Sequence, residues 1–476
     1  MKRRGRPVLW TAILVCSVLF HLKGITAPPF DYHYHRQTNT AAIARNYYRD
    51  GLHFFSPQID WEGPGRGRAA TEFPLYMWLV GVFWGVFGLG DVWGRVLSTA
   101  FSAATAIYLF EYLRDELGET KLLEAFAAAL VFCCLPLEIY FGRTIQPEAL
   151  ALFAMIASLY HWNRALGKGR SPAHWSAAVL FAFLAVAHKL PYAYFLGVLA
   201  VLAHIKLGKK AWTDARVLSA PVVALGLVFA WYKYASAGTY VVPTHEGDFL
   251  KLFDYGNLPH YVFFQFTSRF PELSATYAGL ALGSVGALEL VRRRGKVFFA
   301  WWFACVCVYI VACGAYAHYH EYTSLPYAPI NAAFIGVGAV SLAKKAPVWA
   351  ALLVLAIPIH AVFRINHWYK TSYPFLTSAA RAAAKVSGPD DLYVVNERAS
   401  ALYLYFLDRR GWGWGWEEHA DSSEARLQET IREGARFFAT RDSEAPRYVS
   451  SRYSPPVYDD GRFEIFRLTE STASRP

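Results

Sequence analysis

Residues 74–90 read PLYMWLVGVFWGVFGLG, and whether this apolar stretch crosses a membrane decides how the rest of the chain is threaded. The stretch begins at Pro74 and contains Gly81, Gly85 and Gly88, residues that weaken a helix or interrupt it. Its composition fits a transmembrane helix and an interfacial or re-entrant helix equally well. Basic residues elsewhere in the chain have to decide between the two.

The chain as a whole has the composition of an integral membrane protein. Of its 476 residues, 55% are hydrophobic and only 17% are charged, whereas soluble domains carry about 25% charged residues. Its 16 Trp and 30 Tyr suit membrane interfaces. A transmembrane helix needs about 20 apolar residues. Besides 74–90, we assign such helices near 8–25, 93–113, 123–141, 148–163, 172–188, 191–207, 217–236, 275–291, 297–317, 324–343 and 347–364.

Clusters of basic residues indicate which loops are cytoplasmic. The clusters are Lys2/Arg3/Arg4/Arg6, Arg164/Lys168/Arg170, Lys206/Lys209/Lys210/Arg216, Arg292/Arg293/Arg294/Lys296 and Lys344/Lys345. If all of them are cytoplasmic, residues 74–90 cannot cross the membrane, because a crossing there would put the later clusters on the opposite side from the first. We therefore predict eleven transmembrane helices, an interfacial helix at 74–90, a cytoplasmic N-terminus and an extracytoplasmic C-terminus.

This topology gathers the long polar segments on the extracytoplasmic side. The predicted fold is an all-α polytopic membrane domain at 1–364, with an extracytoplasmic loop at 26–92, followed by a small soluble α/β domain at 365–476. Within the tail, 391–395, 436–440 and 463–468 have the pattern of strands, and 397–407 and 423–434 have that of helices.

Charge and cysteine usage exclude other classes of protein. The net charge of +11 comes largely from short loops between apolar segments, so it reflects topology and does not predict nucleic-acid binding. All six cysteines lie in apolar segments, without the spacing of a zinc site or a disulfide framework. We interpret them as small buried apolar residues.

Two extracytoplasmic loops carry side chains that could do chemistry. The first begins with residues 30–46, FDYHYHRQTNTAAIARN, just outside the first span. Its candidates are Asp31, His33, His35, Arg36 and Gln37, with Asp60, Glu62 and Glu72 as reserve carboxylates. The second loop holds Arg143 and, at the head of an apolar helix, Glu148. A carboxylate at a helix N-terminus also favours the helix dipole, so the alternative for Glu148 is a purely structural role.

The order of these motifs resembles the GT-C superfamily of glycosyltransferases, in particular the branch of aminoarabinose transferases and protein O-mannosyltransferases. The resemblance rests on Thr40–Asn46, Phe73–Trp78, Trp93–Ser98 and Arg143–Leu150, and it covers about residues 1–210. One departure matters, because the acidic pair usual in that branch falls here on Arg36-Gln37. The acidic residue of this chain is Asp31, five positions upstream.

The resemblance implies a sugar donor carried on a polyprenyl phosphate and a hydroxyl acceptor on a lipid, a glycan or a protein. A carboxylate, Asp31 or Glu148, would take the proton of the acceptor hydroxyl, and one direct displacement would invert the anomeric carbon. Cations would stabilise the leaving phosphate. The candidates are Arg36, Arg143 and Lys189, although Lys189 could instead extend its ammonium group to the membrane interface.

A second polar turn, His318 to Leu325, contains the candidates His318, His320, Glu321 and Tyr322, which we expect to shape the donor site. No histidine pattern has a specific metal spacing, and interfacial hydrogen bonding is the better interpretation of these histidines. The sequence requires no cofactor and leaves a divalent metal open. The location that follows is a bacterial inner membrane, with the active site on the periplasmic or extracytoplasmic side.

Other functions remain open at this level. A transporter or flippase of lipid-linked saccharides would have the same hydrophobicity, but transporters usually show two related halves, and no internal repeat is apparent in the sequence. A membrane scaffold without catalysis would leave the cluster of Asp, Arg and His in the first loop unexplained.

Overall fold

The computed structural model describes residues 6–61, 63–65, 67–69, 72–167, 171–237, 255–293, 297–397, 400–413, 420–441 and 445–468. These residues are mostly helical, with one small sheet near the C-terminus. The helices are α1 Arg6–His21, α2 Tyr34–Arg49, α3 Leu75–Phe87, α4 Asp91–Leu117, α5 Leu122–Cys134, α6 Pro136–Phe141, α7 Glu148–Ala165, α8 Pro172–His188, α9 Phe195–Leu207, α10 Ala215–Ser236, α11 Leu258–Phe264, α12 Tyr277–Arg292, α13 Phe298–Ala312, α14 Gly314–Tyr319, α15 Tyr327–Ala343, α16 Pro347–Ile365, α17 Leu376–Val386, α18 Leu402–Leu407, α19 Ala420–Arg432 and α20 Arg447–Tyr453. The strands are β1 Leu392–Val395, β2 Gly411–Gly413, β3 Ala435–Arg441, β4 Tyr458–Asp459 and β5 Phe463–Arg467.

The chain divides into two compact units. The helical unit contains Met1–Thr26, Arg95–Lys233 and His245–Tyr369. The loop-tail unit contains Ala27–Gly94, Tyr234–Thr244 and Lys370–Pro476. The first loop and the C-terminal tail, which are far apart in the sequence, therefore belong to the same unit.

Four helical segments of the described residues are long and apolar enough to cross a membrane: Asp91–Leu117, Leu190–Trp212, Ala215–Ser236 and Pro347–Tyr369. Leu258–Ser274 and Tyr277–Arg292 meet at a bend of 97°. If this pair counts as one span, the number of candidate spans is five. The predicted number of eleven is not confirmed, because several apolar helices are shorter. Helix α8, for example, has 17 residues, which corresponds to about 25 Å.

Helix–helix packing in the helical unit uses small residues for close approach. Helices α12 and α15 meet where Gly286 and Gly338 face the other backbone. A Cβ atom at Gly286 would lie 1.9 Å from the carbonyl oxygen of Phe334, and one at Gly338 would lie 1.8 Å from that of Leu282. Larger side chains at either position would separate the two helices.

Residues 74–90, the ambiguous apolar stretch, contain the short helix α3. Its 13 residues span about 20 Å, less than the hydrocarbon core of about 30 Å. The helix ends at Gly88, whose φ of 86° is a conformation that glycine adopts readily. Helix α3 packs on α2 in the loop-tail unit, and a Cβ atom at Gly81 would lie 2.9 Å from that of Tyr47. The interfacial placement of α3 stays a prediction, because other apolar helices of the chain are also shorter than a full span.

The sheet of the tail has five strands in the order β2-β1-β3-β5-β4. Strand β1 is parallel to β2 and β3, whereas β5 is antiparallel to β3 and β4. The predicted strands at 391–395, 436–440 and 463–468 are present, while the helix expected at 397–407 is confined to α18. Phe30 of the first loop stacks on Phe406 at 3.9 Å between ring centroids, so the loop contributes to the core of the sheet.

Candidate active site

Asp31 lies in the turn that leads into helix α2 and is only 2% exposed. The amide nitrogen Nε2 of Gln37 donates a hydrogen bond of 2.7 Å to its Oδ1 and one of 3.0 Å to the carbonyl oxygen of Tyr32. Because a carbonyl oxygen can only accept, this contact fixes which end of the amide faces the carboxylate. His33, just before α2, has a left-handed backbone with a φ of 60°, which is uncommon outside glycine.

The other polar candidates of the first loop have partners of their own. The Arg36 guanidinium donates to Oε1 of Glu72 at 2.7 Å. The ring nitrogen Nδ1 of His35 lies 2.7 Å from Oγ of Ser400 and 3.7 Å from the carboxylate of Glu397. Burial, followed by the charge of His33, lowers the pKa of His35 to about 4, so His35 is neutral at pH 7.

Asp60, one of the reserve carboxylates, is buried, and its oxygens accept hydrogen bonds from other side chains of the loop-tail unit. It accepts hydrogen bonds of 2.8 Å from Arg45 and 3.1 Å from Asn46. Burial by itself would lower the pKa of Arg45, but Asp60, Tyr405 and Asp408 outweigh it and raise that pKa. These contacts argue against Asp60 as a base. Glu62 lies outside the described residues.

In the helical unit, Glu148 and Lys189 form a buried ion pair. The distance between Oε1 of Glu148 and Nζ of Lys189 is 2.8 Å, and the side chains are 0% and 6% exposed. Glu148 begins helix α7, and Lys189 follows the last residue of α8. The interfacial alternative for Lys189 is therefore wrong: its ammonium group contacts a carboxylate inside the protein.

Aromatic side chains in the second polar turn and just before it contact the lysine of this ion pair. The Lys189 ammonium lies 4.1 Å from the ring centroid of Tyr322 and 3.5 Å from the hydroxyl of Tyr316. The two tyrosine hydroxyls are 3.2 Å apart, and His320 stacks on Tyr322 at 5.2 Å. The structure thus brings together four candidates from three separate parts of the sequence: Glu148, Lys189, and the neighbouring His320 and Tyr322.

Arg269 is a second buried cation next to this turn, and the sequence analysis did not identify it as a candidate. Arg269 is 4% exposed and donates to Oε1 of Glu321 at 2.9 Å, to the carbonyl of His318 at 2.8 Å and to the carbonyl of Ala317. It lies in a π-helix, Gln265–Ser274, and such helices are frequent at functional sites. An arginine within an apolar segment was the available signal.

His318 contributes to the same region as a neutral ring. Its ring lies 4.9 Å from that of Tyr261 and 5.6 Å from that of His260. Burial lowers its pKa, and the charges of Arg269 and His260 lower it further.

Arg143, the third proposed cation, is completely buried in a cage of its own. Its guanidinium donates to the carbonyl of Gly24 at 3.3 Å and lies over the rings of Tyr140 and Tyr369, at 4.9 and 4.5 Å. Phe141, two residues earlier, contacts Tyr322 at 5.8 Å between centroids. A series of ring contacts through Tyr140, Phe141 and Tyr322 thus connects Arg143 to the Lys189 site.

A buried polar cluster that the sequence analysis did not identify packs against the loop that contains Arg143. Ser102 donates to a carboxylate oxygen of the buried Glu138, and Nε2 of His21 lies 3.1 Å from the carbonyl oxygen of Glu138. A Cβ atom at Gly142 would lie 2.3 Å from that same nitrogen. Only glycine fits there, which fixes the turn that leads to Arg143.

Among the described residues, no group of three or more His, Cys, Asp or Glu side chains is arranged to hold a metal ion. His33 and His35, like His318 and His320, contact aromatic rings or hydroxyl groups. We therefore assign these four histidines to packing and hydrogen bonding.

Comparisons with known proteins agree with this arrangement. Residues 70–232, about a third of the chain, match the family model of dolichyl-phosphate-mannose-protein mannosyltransferases. ArnT from Cupriavidus metallidurans, solved with undecaprenyl phosphate, superposes over 100% of both chains with a TM-score of 0.68 at 13% identity. The chain has the fold of the GT-C glycosyltransferases.

A second, more distant structure has the same GT-C fold. The oligosaccharyltransferase of Archaeoglobus fulgidus, solved with zinc and sulfate, matches with a TM-score of 0.58 at 11% identity, over 94% of this chain and 68% of its own. The oligosaccharyltransferase AglB from Archaeoglobus fulgidus, solved in complex with an inhibitory peptide and a dolichol-phosphate, matches with a TM-score of 0.57 at 11% identity, over 92% of this chain and 70% of its own. No curated protein matches this chain by sequence. The resemblance inferred from the motifs is confirmed at the level of the GT-C fold.

Proposed function

We propose that this protein is a GT-C-type glycosyltransferase that moves a sugar from a polyprenyl-phosphate donor to a hydroxyl acceptor on a lipid, a glycan or a protein, with inversion at the anomeric carbon. The observation that carries the proposal is the buried Glu148–Lys189 pair with its tyrosines, next to the buried Arg269. Buried cations in an apolar helical unit are costly and mark functional sites. ArnT, which has the same fold, was solved with undecaprenyl phosphate.

The leaving group defines what the helical unit has to do. When the glycosidic bond breaks, the polyprenyl phosphate takes the electron pair and needs cations, not a proton donor. Lys189 supplies a point charge, and the guanidinium of Arg269 supplies a planar fork that matches phosphate. Glu148 keeps Lys189 in place until a phosphate competes for it. Arg143 is assigned the same role as Arg269, and Arg36 is the further candidate cation, from the loop-tail unit.

Asp31 is assigned the role of the base. Attack by the acceptor hydroxyl on the anomeric carbon releases a proton, and a carboxylate within hydrogen-bond reach contributes about 10²–10⁴-fold to the rate. The hydrogen bond from Gln37 orients the carboxylate of Asp31. Glu72 forms an ion pair with Arg36, and Asp60 forms one with Arg45. Both carboxylates are therefore less suited than Asp31 to act as the base.

The proposed setting is a bacterial inner membrane crossed eleven times, with the site on the extracytoplasmic side. Consecutive short helices support the higher number of spans, since α13 is followed directly by α14. The substitutions Ser56→Cys and Gly118→Cys, each in a background without other cysteines, test this. Only the Ser56→Cys protein should react with a membrane-impermeant maleimide from outside, and labelling of both proteins or of Gly118→Cys alone would refute the topology.

The activity itself is tested with purified protein and a labelled polyprenyl-phosphate sugar. We expect release of polyprenyl phosphate together with transfer of the label to an acceptor. The double variant Glu148→Gln/Lys189→Gln leaves no unpaired charge and should fold, yet it should lose the release of polyprenyl phosphate. Movement of the intact donor between leaflets without bond cleavage would instead identify a flippase.

A further inference from the structure

A basic cleft lies at one edge of the C-terminal sheet. Lys385, Arg436 and Arg467 line this basic cleft, whose volume is about 800 Å³. Helix α17, strand β3 and strand β5 each supply one of these cations. All three side chains are exposed in the structure, so the basic cleft is open to solvent.

The position of Arg467 is set by the fold around it. Its guanidinium donates to the carbonyl of Val386, the last residue of α17, at 3.2 Å. It also lies over the ring of Phe437 at 5.4 Å, and Phe437 is the residue paired with Arg467 across the sheet. Part of the entropy cost of ordering this arginine is therefore already met before anything binds.

The described part of the chain places few negative charges beside the cations of the basic cleft. Among the described residues, none of Lys385, Arg436 and Arg467 lies within 4.0 Å of a carboxylate. Asp391 is the one acidic residue among the described residues that line the cleft, and its Oδ2 accepts a hydrogen bond of 2.7 Å from the backbone N–H of Gly388. Three cations and one carboxylate leave a local net charge of two positive units.

We propose that the basic cleft binds a phosphate monoester or diphosphate group. A phosphate monoester carries a charge of about −1.5 to −2 at pH 7, which matches the local charge, whereas a single carboxylate would leave half of it uncompensated. Two guanidinium groups provide planar forks for phosphate oxygens, and the ammonium of Lys385 adds a flexible point charge. The residues of the basic cleft include none of those assigned to catalysis, and the proposal does not depend on the proposed function.

The test is calorimetric titration of the full chain in detergent with pyrophosphate at 0.15 M ionic strength. Arg467→Gln should weaken binding about tenfold, as expected for loss of a charge-assisted hydrogen bond at an exposed site. The triple variant Lys385→Gln/Arg436→Gln/Arg467→Gln should abolish measurable binding. The matched control is Lys370→Gln/Arg432→Gln/Arg462→Gln, which removes the same charge from exposed positions outside the cleft and should bind within about twofold of wild type.

Three results would overturn the proposal: no binding of pyrophosphate by the wild-type protein, undiminished binding by the triple variant of the basic cleft, or an equal loss in the control. Competition then assigns the source of the phosphate. Displacement of pyrophosphate by nanodiscs containing phosphatidic acid, and not by pure phosphatidylcholine, identifies a lipid headgroup. Displacement by a soluble sugar phosphate alone identifies a soluble ligand.

Discussion

Replacing Gln37 by Glu puts a second carboxylate against Asp31. In the wild-type protein, Nε2 of Gln37 donates 2.7 Å to Asp31 and 3.0 Å to the carbonyl of Tyr32, and the side chains of Gln37 and Asp31 are almost completely buried. A glutamate of the same length would face two acceptors without a proton to donate. The variant should therefore hold one extra proton between the two carboxylates, as acidic pairs in enzymes do.

The size of the effect follows from the geometry. Two unit charges about 4 Å apart interact with about 4 kcal/mol at an effective dielectric constant of about 20. At about 1.36 kcal/mol for each pKa unit, that repulsion corresponds to about three units. The pKa of the acidic limb should rise, because the shared proton must leave before Asp31 can act as a base. Activity should be lost near neutral pH and return at alkaline pH.

The assay is kcat/KM for release of polyprenyl phosphate between pH 5 and 10. In Gln37→Glu, the acidic limb of the profile should move to higher pH by up to about three units. Gln37→Leu is the control of similar size, because it removes the hydrogen bond without adding a charge. An unchanged acidic limb in Gln37→Glu would refute the assignment of Asp31 as the base. An equal displacement in Gln37→Leu would refute charge repulsion as the cause of the shift.

Four further substitutions test other parts of the structure. Asp31→Asn should reduce transfer by about 10²–10⁴-fold in protein that remains folded by size-exclusion chromatography. Glu148→Gln alone should lower the free energy of unfolding by about 3–5 kcal/mol, because Lys189 then stays buried without a partner, and the added Lys189→Gln should restore the Tm. Arg269→Lys should raise the KM for the donor more than that for the acceptor, because a fork is replaced by a point charge. Asp408→Asn should lower the Tm by more at pH 7 than at pH 3.

The Asp408 prediction follows from the sign of its pKa shift. Burial would raise the pKa of this carboxyl, but hydrogen bonding to Arg49 and the charges of Arg45 and Arg49 outweigh it and lower the pKa. A lowered pKa stabilises the folded state above the unfolded value, near 4, and this stability is lost as the pH falls through the folded pKa. An equal Tm difference at both pH values would contradict the prediction.

Contrary results elsewhere are equally definite. Near wild-type transfer by Asp31→Asn would move the base to another carboxylate, with Glu148 as the next candidate. An unchanged Tm in Glu148→Gln would mean that Lys189 does not depend on this ion pair. An equal rise in the KM for donor and acceptor in Arg269→Lys would show that Arg269 does not bind the donor phosphate.

The sequence by itself determined the helical character of the chain, the short helix at 74–90 and the strands β1, β3 and β5 of the tail. These features depend on local composition and periodicity, which decide whether a segment can bury its backbone in a helix or in a sheet. The length of a helix is less local, because neighbouring helices and turns decide where it ends. This is why eleven apolar stretches correspond to only four or five segments of the described chain that are long enough to span by themselves.

Only the tertiary structure decided which charges meet. Glu148 and Lys189 are 41 residues apart, and Arg269 and Glu321 are 52 residues apart. No local pattern relates the members of such pairs. A buried charge is tolerated only where packing brings an opposite charge to it. The same packing left Asp60 bound to Arg45 and left Asp31 facing a neutral amide, a difference that the sequence of the first loop does not contain.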